Sequence, residues 1–319
     1  MRRLFWWIRL VAVLAACVVA LVFLRDIRAL QSRLSAAAEV TITALGPVSI
    51  EVGGRGAPVL AIHGAGGGHD QGRLMAEAFL PDGHRWIAPS RFGYPGSPLP
   101  AIPSTAAQAD AFAALLDTLG IERAILLAMS GGVPAALQFA QRHPARTQAI
   151  ILLSLAPYAP LSAEEQELPV PLWLYNALFA TDFPLWALLR FSPRALAPMF
   201  DARTELLAQM TPDEATFLDA MIAAFLPVTL RRAGLTNEGA AIDPSAAIDL
   251  SKIGAPVLII HARDDRITPF ATAQFTAAGI AGAETLYFDT GGHLLLGHHA
   301  AIRQRIIDFL ASHARPPAN

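Results

Sequence analysis

One stretch limits the folds open to this chain more than any other: Ile125-Leu126-Leu127-Ala128-Met129-Ser130-Gly131-Gly132-Val133-Pro134-Ala135-Ala136. It opens as an unbroken apolar run, the mark of a strand buried on both faces of a parallel sheet. It closes as an Ala-rich helix with a proline in its first turn. Between them lies a turn of small residues with Ser130 at its apex, reading A-x-S-x-G. Such a turn is sharp and brings neighbouring backbone close, so residues two places either side of the serine must be small. The serine hydroxyl then stands clear of the sheet, and the N–H of Gly131 points near the positive end of a helix.

Strand and helix patterns alternate along much of the remaining chain. Residues 40–45 and 48–52 read as short strands with a hairpin at Gly46 and Pro47. Residues 58–62, 85–89, 124–127, 149–153, 255–261 and 284–288 read as further strands. Residues 105–119 form an amphipathic helical pattern stopped by Gly120, residues 133–141 follow the serine, and residues 301–311 make a final helix. This alternation predicts an α/β fold: a mostly parallel central sheet with helices on both faces. The rhythm breaks over residues 157–245, which hold Pro169, Pro171, Pro184, Pro193 and Pro198 and the aromatics Trp173, Phe179, Phe183 and Trp186. We read this span as an inserted helical cap, and 40–156 with 246–319 as the core.

The chain begins differently. Residues 5–24 carry a single charge, Arg9, and as a helix would span about 30 Å, the thickness of a bilayer core. Trp6 and Trp7 are placed as interfacial aromatics, Arg2 and Arg3 precede the run, and Arg25, Asp26 and Arg28 end it. Residues 1–39 therefore read as an N-terminal transmembrane helix, an uncleaved signal anchor, with residues 25–39 a helical or flexible stalk. The domain is expected outside the membrane, on the periplasmic or extracytoplasmic side. A cleaved signal peptide and a lipoprotein site at Cys17 are the alternatives.

With 54% hydrophobic and 16% charged residues, the 319-residue chain has ample material for a core. A net charge of -2 gives no case for nucleic acid as a partner. One cysteine excludes an intramolecular disulfide framework and a cysteine-based zinc site.

Four loops carry the candidate chemistry. His63-Gly64-Ala65-Gly66-Gly67-Gly68 follows an early strand, and Ser90-Arg91-Phe92-Gly93-Tyr94-Pro95-Gly96-Ser97 follows the next. Asp264 and Asp265 follow a later strand, and His293 sits in G-G-H-L after the last one. A serine becomes nucleophilic when a histidine takes its proton, and the histidine needs a carboxylate to fix its tautomer. The motifs H-G-x, A-x-S-x-G, D-x-x-x-P and G-G-H, in that chain order, resemble the α/β-hydrolase family. The resemblance implies a Ser130, Asp265, His293 triad, with Asp265 preferred because Asp265-Arg266-Ile267-Thr268-Pro269 keeps the D-x-x-x-P register that Asp264 misses by one. It also implies oxyanion donors at the Ala65 and Gly131 amides, with Gly66 the next candidate. Ala128 and Ala262 stand where the family usually has glycine. His63 reads as a brace for its loop, and His298 and His299 as surface or capping residues. The implied activity is hydrolysis of an ester or related acyl bond of a small apolar substrate, with no metal or organic cofactor. C–C bond hydrolysis, proline iminopeptidase-like or acyltransferase chemistry, and a non-catalytic membrane-tethered binding module are the alternatives. No oligomeric state is implied.

Overall fold

A computed structural model describes residues 2–158, 172–240 and 247–313. Pro169, Pro171 and the end of the predicted cap near Ser245 lie outside the described residues.

Eight strands form one sheet: β1 (Glu39–Thr43), β2 (Gly46–Gly54), β3 (Ala57–Ile62), β4 (His84–Pro89), β5 (Ala124–Met129), β6 (Thr147–Leu153), β7 (Val257–Ala262) and β8 (Glu284–Phe288). Their order is β1-β2-β4-β3-β5-β6-β7-β8, antiparallel through β4 and parallel from there to β8. Because these strands are parallel, loops leaving the C-terminal ends of β3, β5, β7 and β8 gather at one edge, and the order of strand addition reverses between β3 and β5. Every residue of β5 is buried, as its unbroken apolar sequence requires.

Helices cover both faces. Ile125, Leu127 and Met129 face the layer made by α2 (His69–Phe79), α11 (His299–Ser312) and the segment between β6 and β7. Leu126 and Ala128 face the other layer, made by α3 (Thr105–Thr118), α4 (Val133–Arg142) and α10 (Phe270–Gly279). Gly120, at φ 65°, ends α3 in a left-handed turn in which the Ile121 N–H reaches the Leu116 carbonyl at 2.8 Å.

The β1–β2 hairpin turns at Ala44 and Leu45, before the Gly46-Pro47 position that the sequence suggests. The Thr43 hydroxyl closes it, accepting from the Leu45 N–H at 3.1 Å and donating to the Gly46 carbonyl at 2.8 Å. Between β6 and β7 the described residues contain helices and no strand: α5 (Leu172–Phe179), α6 (Phe183–Phe191), α7 (Thr204–Leu207), α8 (Pro212–Ala223) and α9 (Arg232–Ala240).

The N-terminal apolar run and the predicted stalk are one helix, α1 (Arg2–Ala37), unbroken because no glycine or proline precedes Gly46. It is long and apolar enough to cross a membrane, or to be a signal sequence. Its second half docks on the segment between β6 and β7. Phe23 meets Phe183 and Trp186 edge to face, each at 5.3 Å, Ile27 and Leu34 are buried, and the Trp186 indole N–H donates to Asp26 at 3.2 Å. The predicted stalk is thus helical, and Ile27 and Leu34 are its buried residues.

Trp186→Ala removes this anchor point and is expected to lower unfolding stability by about 3 kcal/mol, the scale of a buried large-to-small change. Urea unfolding of the full chain checks it, and an unchanged midpoint would mean that α1 contributes nothing to the fold.

Candidate functional site

Ser130 occupies the turn after β5 with φ 52°, a left-handed conformation rarely adopted by a residue with a side chain. Such a residue costs on the order of 1–3 kcal/mol and persists only where its surroundings fix it. Here they do. A β carbon on Gly132 would lie 2.5 Å from the Ile62 carbonyl oxygen and 2.6 Å from that of His63, so only glycine lets the turn pack against the end of β3. Gly64 approaches from the other side: its β carbon would sit 3.1 Å from Ser130 Cβ.

The Ala65 amide lies on the same side. A β carbon built on Gly131 would be 3.2 Å from the Ala65 nitrogen, so the two residues whose amides are the expected oxyanion donors are neighbours. Ala65 is exposed while Ser130 keeps only 8% exposure. His63 braces this loop as the sequence suggests. Its Nδ1 faces the Gly64 carbonyl at 2.7 Å and its Nε2 accepts the Arg91 N–H at 3.0 Å. These bonds assign the neutral tautomer protonated on Nδ1. Burial, with the Arg91 charge adding to it, holds this imidazole well below the usual histidine range.

At the far end of the site, His293 Nδ1 lies 2.9 Å from Asp265 Oδ2. The carboxylate is fully buried, and all its bonding capacity is used. Oδ1 accepts the Ile267 and Thr268 N–H groups at 2.8 and 2.9 Å. Oδ2 accepts the Thr268 hydroxyl at 2.6 Å besides the imidazole N–H. Burial alone would raise this carboxyl, but the imidazole and the Thr268 donors outweigh it and hold it at about 2. With Nδ1–H committed to Asp265, the other ring nitrogen is left with its lone pair. No hydrogen bond joins Ser130 Oγ to His293 among the described residues, so the structure brings imidazole and carboxylate together and leaves the hydroxyl apart. In resting sites such bonds often form only with substrate present.

Asp264 has a different place. It accepts the Gly292 N–H at 2.9 Å and pairs with Arg203, fixing the loop that carries His293. The residues between β6 and β7 contribute further: Asp201 accepts the Arg266 N–H at 3.1 Å. Ser154, after β6, donates its hydroxyl to the His293 carbonyl at 2.7 Å. His261 donates to the Thr268 carbonyl and accepts from Leu155 N–H, and burial lowers its proton affinity. His299 is not a surface residue. Its ring bonds the Leu294 carbonyl at 2.9 Å and packs against Phe79 and Phe217, because Glu214 on α8 captures its N–H. His298 occupies the position before α11 without a capping side-chain bond, and its ring stacks on Phe288.

Two features beside the site escape sequence reading. The Phe225 ring lies against Gly66, closing over the glycine loop. Glu238, on α9, pairs with Arg91 and accepts the Tyr94 hydroxyl proton, and its Oε2 is 2.8 Å from where a β carbon of Gly131 would stand. Tyr94 in turn accepts the Gly66 N–H at 3.1 Å. Burial and then the Glu238 charge push the Tyr94 phenol well above its ordinary range, so it stays protonated. Both contacts join residues more than a hundred positions apart, and no local pattern marks them.

Asp265 has a folded value below its unfolded one, so its stabilisation, about 2 kcal/mol, is present above about pH 4 and is lost as pH falls through about 2. His63 and His261 have folded values below their unfolded ones, so the unfolded chain takes up protons first and stability declines as pH drops below about 6.5. Urea midpoints measured from pH 7.5 to pH 5 should fall steadily, and a flat profile would contradict the buried neutral imidazoles. Separately, Glu238→Ala leaves the Arg91 guanidinium buried without its carboxylate and should lower stability by roughly 3 kcal/mol. Calorimetry that finds no loss would show the pair to be solvated.

Comparison with known proteins agrees with this architecture. The family model of the alpha/beta hydrolase fold matches residues 57–300. A 2-hydroxymuconate semialdehyde hydrolase from Pseudomonas is 31% identical over 266 residues, 81% of this chain and 88% of that protein. Among solved structures, an alpha/beta hydrolase fold protein from Nakamurella multipartita superposes with a TM-score of 0.75 at 28% identity, covering 86% of this chain and 98% of that one. A thermophilic esterase from Thermogutta terrifontis gives 0.62 at 21% identity, over 87% and 99%. With the family model spanning most of its length, this chain belongs to the α/β-hydrolase fold family.

Proposed function

We propose that the chain is a membrane-anchored serine hydrolase that cleaves an ester or related acyl bond of an apolar substrate. The observation that carries this reading is the buried, fully hydrogen-bonded Asp265 carboxylate on His293 Nδ1, at the same sheet edge as a serine in a strained turn. The pair orients the imidazole as a base whose free nitrogen can serve Ser130.

The steps follow from these groups. Ser130 Oγ attacks the substrate carbonyl carbon while its proton passes to His293 Nε2. The carbonyl electron pair moves onto oxygen, where the Ala65 and Gly131 amides donate to it. The oxyanion collapses, the bond to the leaving group breaks, and His293 gives that group its proton. Water then attacks the acyl carbon, losing a proton to His293; the bond from that carbon to Ser130 Oγ breaks, the acid leaves, and His293 returns the proton to Oγ. Asp265 stays ionised throughout and steadies the imidazolium. The α1 helix holds the enzyme at the membrane, with the domain on the extracytoplasmic side.

A second reading is favoured by one observation. The 31% identical Pseudomonas relative is named a 2-hydroxymuconate semialdehyde hydrolase, and on such a carbonyl substrate the same residues could act on a carbon–carbon bond in place of an ester.

The test is turnover of short-chain p-nitrophenyl esters by the full chain in detergent, against Ser130→Ala. The account predicts a loss of about a thousandfold or more, leaving the residual rate typical of a site without its nucleophile. Equal rates would point to a non-catalytic binding module. Absence of ester turnover together with cleavage of 2-hydroxymuconate semialdehyde would select C–C hydrolysis.

A further inference from the structure

The docked half of α1 leaves a groove of about 400 Å³ between itself and the helices that follow β6. Leu30, Leu189, Ala223 and Leu226 give it apolar walls, and Arg33 and Arg190 stand at its exposed margin. Asp26 is the acid at this margin; Arg25 and the Trp186 indole bond it, and the Arg190 charge also acts on it without a direct bond. The groove therefore offers two arginines and an apolar floor.

Its depth relative to the apolar span is fixed by the helix. The apolar run ends at Leu24, and the α1 residues lining the groove run from Asp26 to Arg33. At 1.5 Å per residue this places the groove roughly 3–14 Å beyond the hydrocarbon boundary, overlapping the headgroup layer. Because α1 is continuous and bonded to Trp186, the groove is held at that depth. Its inner wall is Leu226, and the adjacent Phe225 is the ring that lies on Gly66 of the oxyanion loop.

We propose that this groove is a binding site for an anionic amphiphile of the bilayer, such as a phospholipid with a phosphodiester headgroup. Arg33 and Arg190 take the anionic headgroup, and the apolar walls take the start of an acyl chain. The proposal rests on the reading of α1 as a membrane anchor. It brings the lipid within one residue of the ring that covers the oxyanion loop.

The test uses the full chain in a nonionic detergent and follows the melting temperature on titration with dioctanoyl phosphatidylglycerol, dioctanoyl phosphatidylcholine or inorganic phosphate, since a ligand of the folded state raises it. Phosphatidylglycerol should give a saturable rise, half-maximal at roughly a tenth of the concentration needed for the choline lipid, as two arginines near a lipid surface imply. Arg33→Gln with Arg190→Gln should erase that preference, and Ala29→Trp, which fills the groove without changing charge, should erase the rise from either lipid. Retention of the preference in the double variant would overturn the proposal. So would a rise from either lipid that survives Ala29→Trp, or a phosphate response equal to that of the lipid. Alkaline washing of membranes holding the chain tests the anchor separately. Release into the soluble fraction refutes the anchor and with it the bilayer as the source of the ligand, whatever the titrations give.

Discussion

A carboxylate cut off from water stays ionised only when every lone pair it exposes is met by a donor. Asp265 satisfies this condition with two backbone N–H groups, a threonine hydroxyl and an imidazole N–H. Much else in the structure serves that arrangement. Thr268 lies three residues on because D-x-x-T turns the loop back on its own acid. His261 holds the Thr268 carbonyl, Ser154 holds the His293 carbonyl, and Asp264 holds the Gly292 N–H. The imidazole is thus positioned from three strand ends at once.

The segment between β6 and β7 is wired into the same network. Asp201 and Arg203 reach the acid loop, Glu214 reaches His299, and Glu238 reaches Arg91 and Tyr94 beside the glycine loop that follows β3. Its outer side is packed against α1 through Phe23, Asp26 and Trp186. Movement of these helices relative to the core must break charged contacts close to the candidate site, and α1 packs on the same helices.

Much of this was legible in the chain because short-range rules govern it. The unbroken apolar run of β5, the small residues flanking Ser130, the glycine stop after α3 and the D-x-x-x-P register each depend on a few neighbouring residues. The His63 brace was legible for the same reason. What stayed hidden depends on partners far along the chain. Nothing near Glu238 says that Arg91 awaits it, and nothing near His299 says that Glu214 will draw it inward. The hairpin at Ala44 and Leu45 was missed because a Thr43 side chain closes the turn while Gly46-Pro47 looks the stronger signal. The docking of residues 25–37 needed knowledge of the Trp186 face, which lies about 160 positions later.

The central claim is that Asp265, and not its neighbour, orients the catalytic imidazole. It is tested most directly by the rate at which a fluorophosphonate labels Ser130 in the full chain, in Asp265→Asn and in Asp264→Asn. The account predicts labelling slowed by about 10³–10⁴ in Asp265→Asn, as for loss of the tautomer-fixing acid, and a much smaller change in Asp264→Asn. Labelling of Asp265→Asn at the unmodified rate, or a larger loss in Asp264→Asn, would contradict it.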